Sequence, residues 1–282
     1  MSVARHPRPK ELEGVSVEDI MKKYVGRFRE KKGDWAAFED AKIEGFKRAQ
    51  HRFIGAGGSG KHGDPNVIPA RGFTLSIMFV PPGQGNAAPS FLLCSHYDTK
   101  TFDTIRFVGA NDGGSSTGLL LELGRVLGRH RNLAARIELV FFDGEEAYDH
   151  YSENDGLYGS RYFAQQLQAS GAKQFRGGIL FDMVGQRSLK ITLPMDSPAE
   201  MARDIFASAE ALKLRSYFTY LDREMIDDHT PLNALGVPTI DLIDFSFAWW
   251  HTADDTIDKL SAQSLQIVGS VAAYYLSEFA LK

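Results

Sequence analysis

The sequence predicts a single α/β domain built around a doubly wound sheet. Short apolar runs typical of strands alternate along the chain with stretches of helical spacing, and this order produces a sheet with helices on both faces. The chain has 282 residues, 43% of them hydrophobic and 24% charged, a balance that allows one large buried core. No internal repeat or low-complexity linker divides it, so we expect one domain over residues 1–282.

The N-terminal third predicts two helices and two strands. Ser16 opens a segment that resembles a capping box, and apolar residues follow it at helical spacing, so helices that pack on the core are expected within about residues 16–53. Residues 72–80 alternate like a strand. Residues 91–95 form the short apolar run that is typical of a central strand.

Strand and helix signals alternate through the rest of the chain. We predict strands and helices by their periodicity and by the Gly and Pro residues that separate them. The strands are expected at 137–142, 178–184, 189–193 and 239–243, and the helices at 115–127, 157–167, 198–212 and 261–279. A short helix is also expected around Pro231, because proline favours the first helical position.

Charge and cysteine content limit the possible partners. The formal net charge of −4 provides no positive field for nucleic acid or anionic lipid, so neither is expected as a partner. Cys94 is the only cysteine, which leaves His and carboxylate side chains to hold any metal. With no apolar span and no leader in the chain as it stands, we expect a cytoplasmic monomer, or a periplasmic or secreted one if a leader has been removed.

Polar side chains recur where the predicted strands end. Because the carboxyl ends of strands in an open α/β sheet border one crevice, these side chains could converge. Each alone could be a solvated loop residue, but carboxylates next to core strands are costly unless they are paired or bind a metal. Imidazole and carboxylate groups suit zinc, and a catalytic zinc needs three protein ligands and one open position. The candidates are His96, Asp98, Asp112, Glu145, Glu146, Asp182 and His251.

The order of these residues resembles the di-zinc exopeptidases. That family has His-x-Asp, an isolated Asp, Glu-Glu, a later Asp and a last His in the same order. The resemblance implies that Glu145 is the general base. It also implies five metal ligands, namely His96, Asp112, Glu146, Asp182 and His251.

The flanking residues resemble a narrower group within that superfamily, the animal-type glutaminyl cyclases or glutaminyl-peptide cyclotransferases. The likeness covers about residues 71–282 and implies a single-domain, three-layer α/β/α sandwich with a mostly parallel mixed central sheet, like the zinc exopeptidases. Six matched segments lie in the family's order, at residues 95–100, 107–112, 141–147, 157–161, 227–231 and 250–255.

This resemblance implies one zinc ion bound by Asp112, Glu146 and His251. Glu145 would move a proton, and Asp182 and Asp227 would form a hydrogen-bonded pair beside it. The implied reaction converts the N-terminal Gln of a peptide to pyroglutamate with release of ammonia. It needs an uncharged amine, a Lewis acid on the amide oxygen and a proton for the departing ammonia.

The resemblance also bears on the substrate pocket. Trp250 stands where the family has a pocket wall, and Tyr151 stands where it commonly has another pocket aromatic. Ile226 and Asp241 depart from the animal pattern, in which a glutamine and a histidine line the site. Asp98 and His229 are candidates for positioning these groups; His229 could equally be a satisfied polar residue.

Two other functions fit the same residues. In a di-zinc aminopeptidase, His96 and Asp182 would help to hold a second zinc, and ligand types alone do not separate that enzyme from a cyclase. A peptide-binding homologue without turnover is a third possibility. The presence of Glu145 and of every candidate ligand argues against it, since buried charges are costly to keep.

Overall fold

A computed structural model describes residues 74–78, 90–170 and 175–282. Within this part of the chain, seven strands form one sheet in the order β1-β3-β2-β4-β7-β5-β6. The strands are β1 Thr74–Met78, β2 Phe91–His96, β3 Ile137–Phe142, β4 Gly178–Asp182, β5 Ile191–Leu193, β6 Phe218–Tyr220 and β7 Thr239–Ile243.

The centre of the sheet is parallel and its flanks are mixed. Strand β2 pairs in parallel with β3 and β4, and β4 pairs in parallel with β7. Strand β1 is antiparallel to β3, and β5 is antiparallel to β7 and parallel to β6. His96 lies opposite Phe142, and Asp182 lies opposite Ile243. The carboxyl ends of four neighbouring strands therefore meet at one edge.

The helices form two groups. Helices α1 and α4 contact α6, while α3 contacts α5, and this arrangement agrees with the expected three-layer architecture around a mostly parallel mixed sheet. The parallel strands β2, β3 and β4 are buried along their whole length, as strands covered on both faces must be. The helices are α1 Gly114–Leu127, α2 Arg131–Ala134, α3 Tyr158–Ser170, α4 Ala199–Ala211, α5 His229–Ala234 and α6 Ala262–Tyr275.

Most element boundaries match the sequence predictions, and a few differ for local reasons. Strand β4 ends at Asp182 instead of continuing to residue 184, because Met183 adopts a left-handed backbone conformation with φ 46°. The closing helix α6 ends at Tyr275 and continues as a π-helical turn, Leu276–Ala280. The short strand β6 and the short helix α2 were not predicted.

The described residues belong to one compact unit, Arg71–Lys282. The helices expected within residues 16–53 lie outside the described part of the chain, so a single domain over 1–282 stays a prediction. Of the helices that the structure does describe, not one combines the length and apolarity that crossing a bilayer requires.

We expect Leu180→Ala to lower the free energy of unfolding by about 2–5 kcal/mol, the usual effect of removing a large buried side chain. Leu180 lies in β4 at the centre of the sheet and is fully buried. Leu121→Ala on the exposed face of α1 is the matched control, and its effect should be much smaller. Urea unfolding of both variants checks this; equal losses would contradict the assignment of β4 to the core.

Candidate metal centre

The candidate ligands come together at the edge where the parallel strands end. His96 is the last residue of β2 and Asp182 the last residue of β4. Asp112 lies in the turn before α1, Glu146 follows β3, and His251 follows β7. All five side chains that the exopeptidase pattern indicated thus belong to one cluster.

Asp112 is shared between two groups of possible ligands. In the first, the Asp112 Oδ2 atom lies 3.4 Å from His251 Nε2, which is 3.2 Å from Glu146 Oε1. In the second, the Asp112 Oδ1 atom lies 3.3 Å from His96 Nε2, which is 3.1 Å from Asp182 Oδ1. Within each group, the potential ligand atoms lie within 4.8 Å of one another.

These residues fit a bound divalent cation. The Asp112 and Glu146 side chains are buried, with relative exposures of 3% and 7%. The buried atoms Asp112 Oδ2 and Glu146 Oε2 have no hydrogen-bond partner among the described residues. Unsatisfied carboxylate oxygens are expensive in a protein interior unless a cation lies beside them. One imidazole and two carboxylates form a suitable ligand set for zinc.

The electrostatics of the cluster reflect its density of charge. Burial alone would raise the pKa of Asp112, but the neighbouring His251 and His96 imidazoles outweigh it and lower the pKa to about 2. Burial raises the pKa of Glu146 to about 7 although His251 opposes this. The neighbouring Asp112 and Glu146 carboxylates overcome the effect of burial on His251 and raise its pKa to about 9. A metal ion would displace the imidazolium proton, since only neutral imidazole binds metal.

Two further carboxylates hold the ligand loops in place. The Asp255 carboxylate accepts hydrogen bonds from the backbone N–H groups of Asn111, at 2.7 Å, and of Asp112, at 3.1 Å. The Asp98 carboxylate accepts bonds from the N–H groups of Glu145, at 3.1 Å, and of Glu146, at 3.3 Å. Each therefore fixes the backbone that carries a candidate ligand, as outer-shell groups of metal sites do.

The turns that carry the ligands need unusual backbone conformations. Gly113, directly after Asp112, has φ 78°, and a Cβ atom there would lie 2.6 Å from the carbonyl oxygen of Asp98. Only glycine fits such a position without strain. His251 itself has φ 56°, an uncommon conformation for a residue with a side chain. Strain of this kind is concentrated at functional sites.

Glu145 lies beside the cluster with its own hydrogen-bond donor. The Tyr151 hydroxyl donates to Glu145 Oε1 at 2.8 Å. Burial raises the pKa of Glu145 well above its ordinary value; His96 opposes this, and Asp227 adds to it. A buried carboxyl group with a raised pKa beside possible metal ligands is a candidate for proton transfer.

Aromatic side chains surround His251. The Trp250 ring stacks on the His251 ring, with centroids 4.1 Å apart. Phe102 and Phe107 meet the same imidazole edge-on, with centroid distances of 5.5 and 5.8 Å. Trp250 remains 39% exposed, and its ring also contacts Phe245, with centroids 5.0 Å apart. The role of Trp250 as a pocket wall stays a prediction.

Other predicted neighbours are placed differently. The expected hydrogen bond between Asp182 and Asp227 is not formed in the described structure: Asp182 bonds His96, and Asp227 Oδ1 accepts from the N–H of Asp228 at 2.5 Å. Two buried carboxyl groups can share a hydrogen bond only when one is protonated. Ile226 is 58% exposed, and its pocket role stays a prediction.

Sequence reasoning missed Asp255, Phe102 and Phe107 as parts of the centre. Asp255 lies within the matched segment 250–255, so its position four residues after His251 was a usable signal. Phe102 and Phe107 lie in an irregular loop, where no periodicity shows which way a side chain points.

The fold and the site together define the class of the zinc exopeptidases and their relatives. A mixed sheet carries, at its parallel strand ends, two His-carboxylate groups around one shared aspartate. The chain belongs to peptidase family M28, whose family model matches residues 77–276.

Similar proteins include glutaminyl cyclases and a zinc-dependent exopeptidase. The chain is 33% identical to a glutaminyl cyclase of an Acidobacteriales bacterium, with a TM-score of 0.64 over 74% of this chain and 80% of that one. It is 29% identical to the glutaminyl-peptide cyclotransferase-like protein of Bos taurus over 73% of this chain and 61% of that protein. It thus spans about three fifths of that curated relative. A Zn-dependent exopeptidase from Parabacteroides distasonis shares the fold, with 22% identity and a TM-score of 0.60 over 74% of this chain and 85% of that one.

We expect Asp255→Asn to weaken zinc binding by roughly 10- to 100-fold, the usual effect of losing an outer-shell partner. The amide cannot accept both backbone bonds in the same way, so the Asp112 loop would lose its fixed position. Asp254→Asn is the matched control, because Asp254 is exposed. Competition with a chromogenic chelator measures the affinity; equal affinity in the two variants would exclude the positioning role.

Proposed function

We propose that the protein is a zinc-dependent glutaminyl-peptide cyclotransferase. It would convert the N-terminal glutamine of peptides to pyroglutamate and release ammonia, acting as a monomer with one zinc on Asp112, Glu146 and His251. The observation that carries the proposal is the buried Glu145 carboxyl group, which precedes the candidate ligand Glu146 in the chain and whose pKa is affected by burial and by the charges of His96 and Glu146. The likeness to solved glutaminyl cyclases supports the choice of reaction.

The reaction forms one bond and breaks one. The α-amine of the substrate attacks the carbon of its own side-chain amide, and the carbon–nitrogen bond to ammonia breaks. A zinc ion in this site would act as a Lewis acid toward the amide oxygen. Water is not a reactant, so one metal ion is sufficient.

Glu145 would carry the proton through the reaction. As a carboxylate it takes a proton from the α-amine while the amine attacks. As a carboxylic acid it gives that proton to the departing nitrogen, which leaves as ammonia. Burial raises the pKa of Glu145 well above its ordinary value, which favours its role as a proton donor after it has accepted the proton of the amine. Tyr151 holds one carboxyl oxygen in a fixed direction through its hydrogen bond.

Asp227 and Trp250 would position the substrate. The buried Asp227 Oδ2 atom has no hydrogen-bond partner among the described residues. It could accept a bond from the substrate amine or amide. Burial and the charge of Asp182 raise the pKa of Asp227 to about 7, so it also could take part in proton exchange. The exposed part of the Trp250 ring would offer an apolar wall to the glutamine side chain.

We expect Glu145→Gln to lower ammonia release from a glutaminyl peptide by roughly 100-fold or more while zinc stays bound, because a positioned acid–base group contributes at least that much. Glu145 is not a ligand in the proposed centre, so metal content should not change. Glu153→Gln, at an exposed position of the following loop, is the matched control and should keep full activity. A coupled assay measures the rate of ammonia release, and elemental analysis measures the zinc content. Full activity in Glu145→Gln would refute the proton-transfer role.

We expect Tyr151→Phe to move the acidic limb of the kcat/KM profile upward by about one pH unit. The hydroxyl bond at 2.8 Å stabilises the ionised form of Glu145, so its removal raises the pKa of that group further. Activity would then be lost on the acid side at a higher pH than in the unchanged protein. Tyr162→Phe, at an exposed position of α3, is the control. Identical profiles for both variants would show that the Tyr151 hydroxyl does not tune Glu145.

A di-zinc aminopeptidase is the second candidate function. The observation that favours it is the complete second group formed by His96, Asp112 and Asp182. Turnover of a leucine anilide that disappears in His96→Gln would support the aminopeptidase. Ammonia release from a glutaminyl peptide, with no anilide turnover, would support the cyclotransferase.

A further inference from the structure

A second buried cluster lies beneath the metal centre and shares only Asp227 with the proposed substrate site. It consists of Asp227, His229 and Asp241, whose relative exposures are 3%, 1% and 0%. One potential ligand atom from each lies within 4.8 Å of the other two. We call this set the inner cluster.

The sheet register fixes the position of the inner cluster. Asp241 lies in β7 opposite Leu180, two residues before the pair formed by Ile243 and Asp182. Alternate residues of a strand share one face, and two residues span about 7 Å, so Asp241 lies roughly one such step below the strand ends on the face that carries Asp182. Helix α5, which begins at His229, contacts β7.

The orientation of His229 is set from outside the cluster. Its Nε2 atom lies 2.9 Å from Asp196 Oδ2. The carboxylate favours the tautomer in which Nε2 carries the proton and donates it to Asp196. The lone pair of Nδ1 then faces the interior, and Nδ1 lies 3.9 Å from Asp241 Oδ2.

Several buried nitrogen and oxygen atoms of the inner cluster lie close together without a hydrogen bond. His229 Nδ1, Asp227 Oδ2 and both carboxylate oxygens of Asp241 are buried and have no hydrogen-bond partner among the described residues. Acceptor atoms that face each other away from water repel, and each unsatisfied group costs free energy. A cation placed between them would satisfy all three side chains at once.

We propose that Asp227, His229 Nδ1 and Asp241 form a separate binding site for a divalent transition-metal ion such as zinc. One imidazole nitrogen and two carboxylates are the donors that zinc accepts, whereas calcium and magnesium prefer oxygen ligands throughout. The hydrogen bond from His229 to Asp196 is the carboxylate–histidine pairing that orients imidazole ligands of metals. The ligand atoms, which lie within 4.8 Å of one another, would move closer together to form bonds of about 2.0–2.2 Å to the ion.

Such an ion would have a positioning role. It would tie the start of α5 to the central strand β7 and would fix one oxygen of Asp227 beneath the metal centre. The proposal does not depend on the cyclotransferase reaction, because metal content and not turnover tests it.

The experiment counts zinc per chain by mass spectrometry of elements after dialysis of the full chain against zinc. Asp241→Asn keeps the size of the side chain but removes the anionic ligand, and His229→Gln removes the nitrogen ligand. Each is expected to bind one zinc ion fewer than the unchanged protein. Because the zinc content of each variant is compared with that of the unchanged protein, the result does not depend on how many ions the metal centre holds.

Asp244→Asn is the matched control. Asp244 is also fully buried at the end of β7, but Ser246 and the Lys190 N–H donate hydrogen bonds to its carboxylate. It should therefore keep the full zinc content. If folded Asp241→Asn or His229→Gln binds as much zinc as the unchanged protein, no metal ion is bound by the cluster and the proposal is overturned. The proposal is also overturned if Asp244→Asn loses a zinc ion. If one of the two ligand variants does not fold, the zinc content of the other decides the test.

Discussion

The arrangement of the site depends on the burial of one carboxylate, Asp112, between two imidazoles. Its two oxygens point to opposite partners, His96 on one side and His251 on the other. A buried carboxylate is tolerated only when positive charge or hydrogen bonds compensate its lost hydration, and breaking such a pairing typically costs about 3–5 kcal/mol. The strand ends, the turns and the carboxylates of Asp98 and Asp255 all help to keep Asp112 close to His96 and His251.

The sheet brings the candidate ligands to the same edge, and the turns set the direction of their side chains. Parallel register brings His96 and Asp182 to the same edge, but Asp112 and His251 come from turns whose direction depends on left-handed backbone at Gly113 and at His251 itself. Asp98 and Asp255 then fix those turns through backbone N–H groups. Rigid placement of this kind is what allows a site to favour a transition state over a ground state.

Much of the fold and of the site could be predicted from the sequence, for physical reasons that also explain the failures. Strands β3 and β7 were predicted with their observed bounds because fully buried strands are continuous apolar runs with clear ends. Three-residue β6 leaves too short a pattern to detect. The ligands were predictable because carboxylates next to core strands are costly without a partner or a metal and because their order resembles that of the di-zinc exopeptidases. The edge-on contacts of Phe102 and Phe107 with His251 instead arise from loop geometry that no periodicity encodes. The bond from Tyr151 to Glu145 also depends on a loop path, and sequence indicated only that an aromatic stood nearby.

The central claim is that Asp112, Glu146 and His251 bind one divalent ion next to Glu145. The most direct measurement is an anomalous difference map, recorded at the zinc absorption edge from crystals of the zinc-loaded protein. The account predicts a peak within about 2.2 Å of one atom of each of these three side chains. A zinc-loaded crystal with no peak between them, or with these side chains turned away from each other, would contradict it.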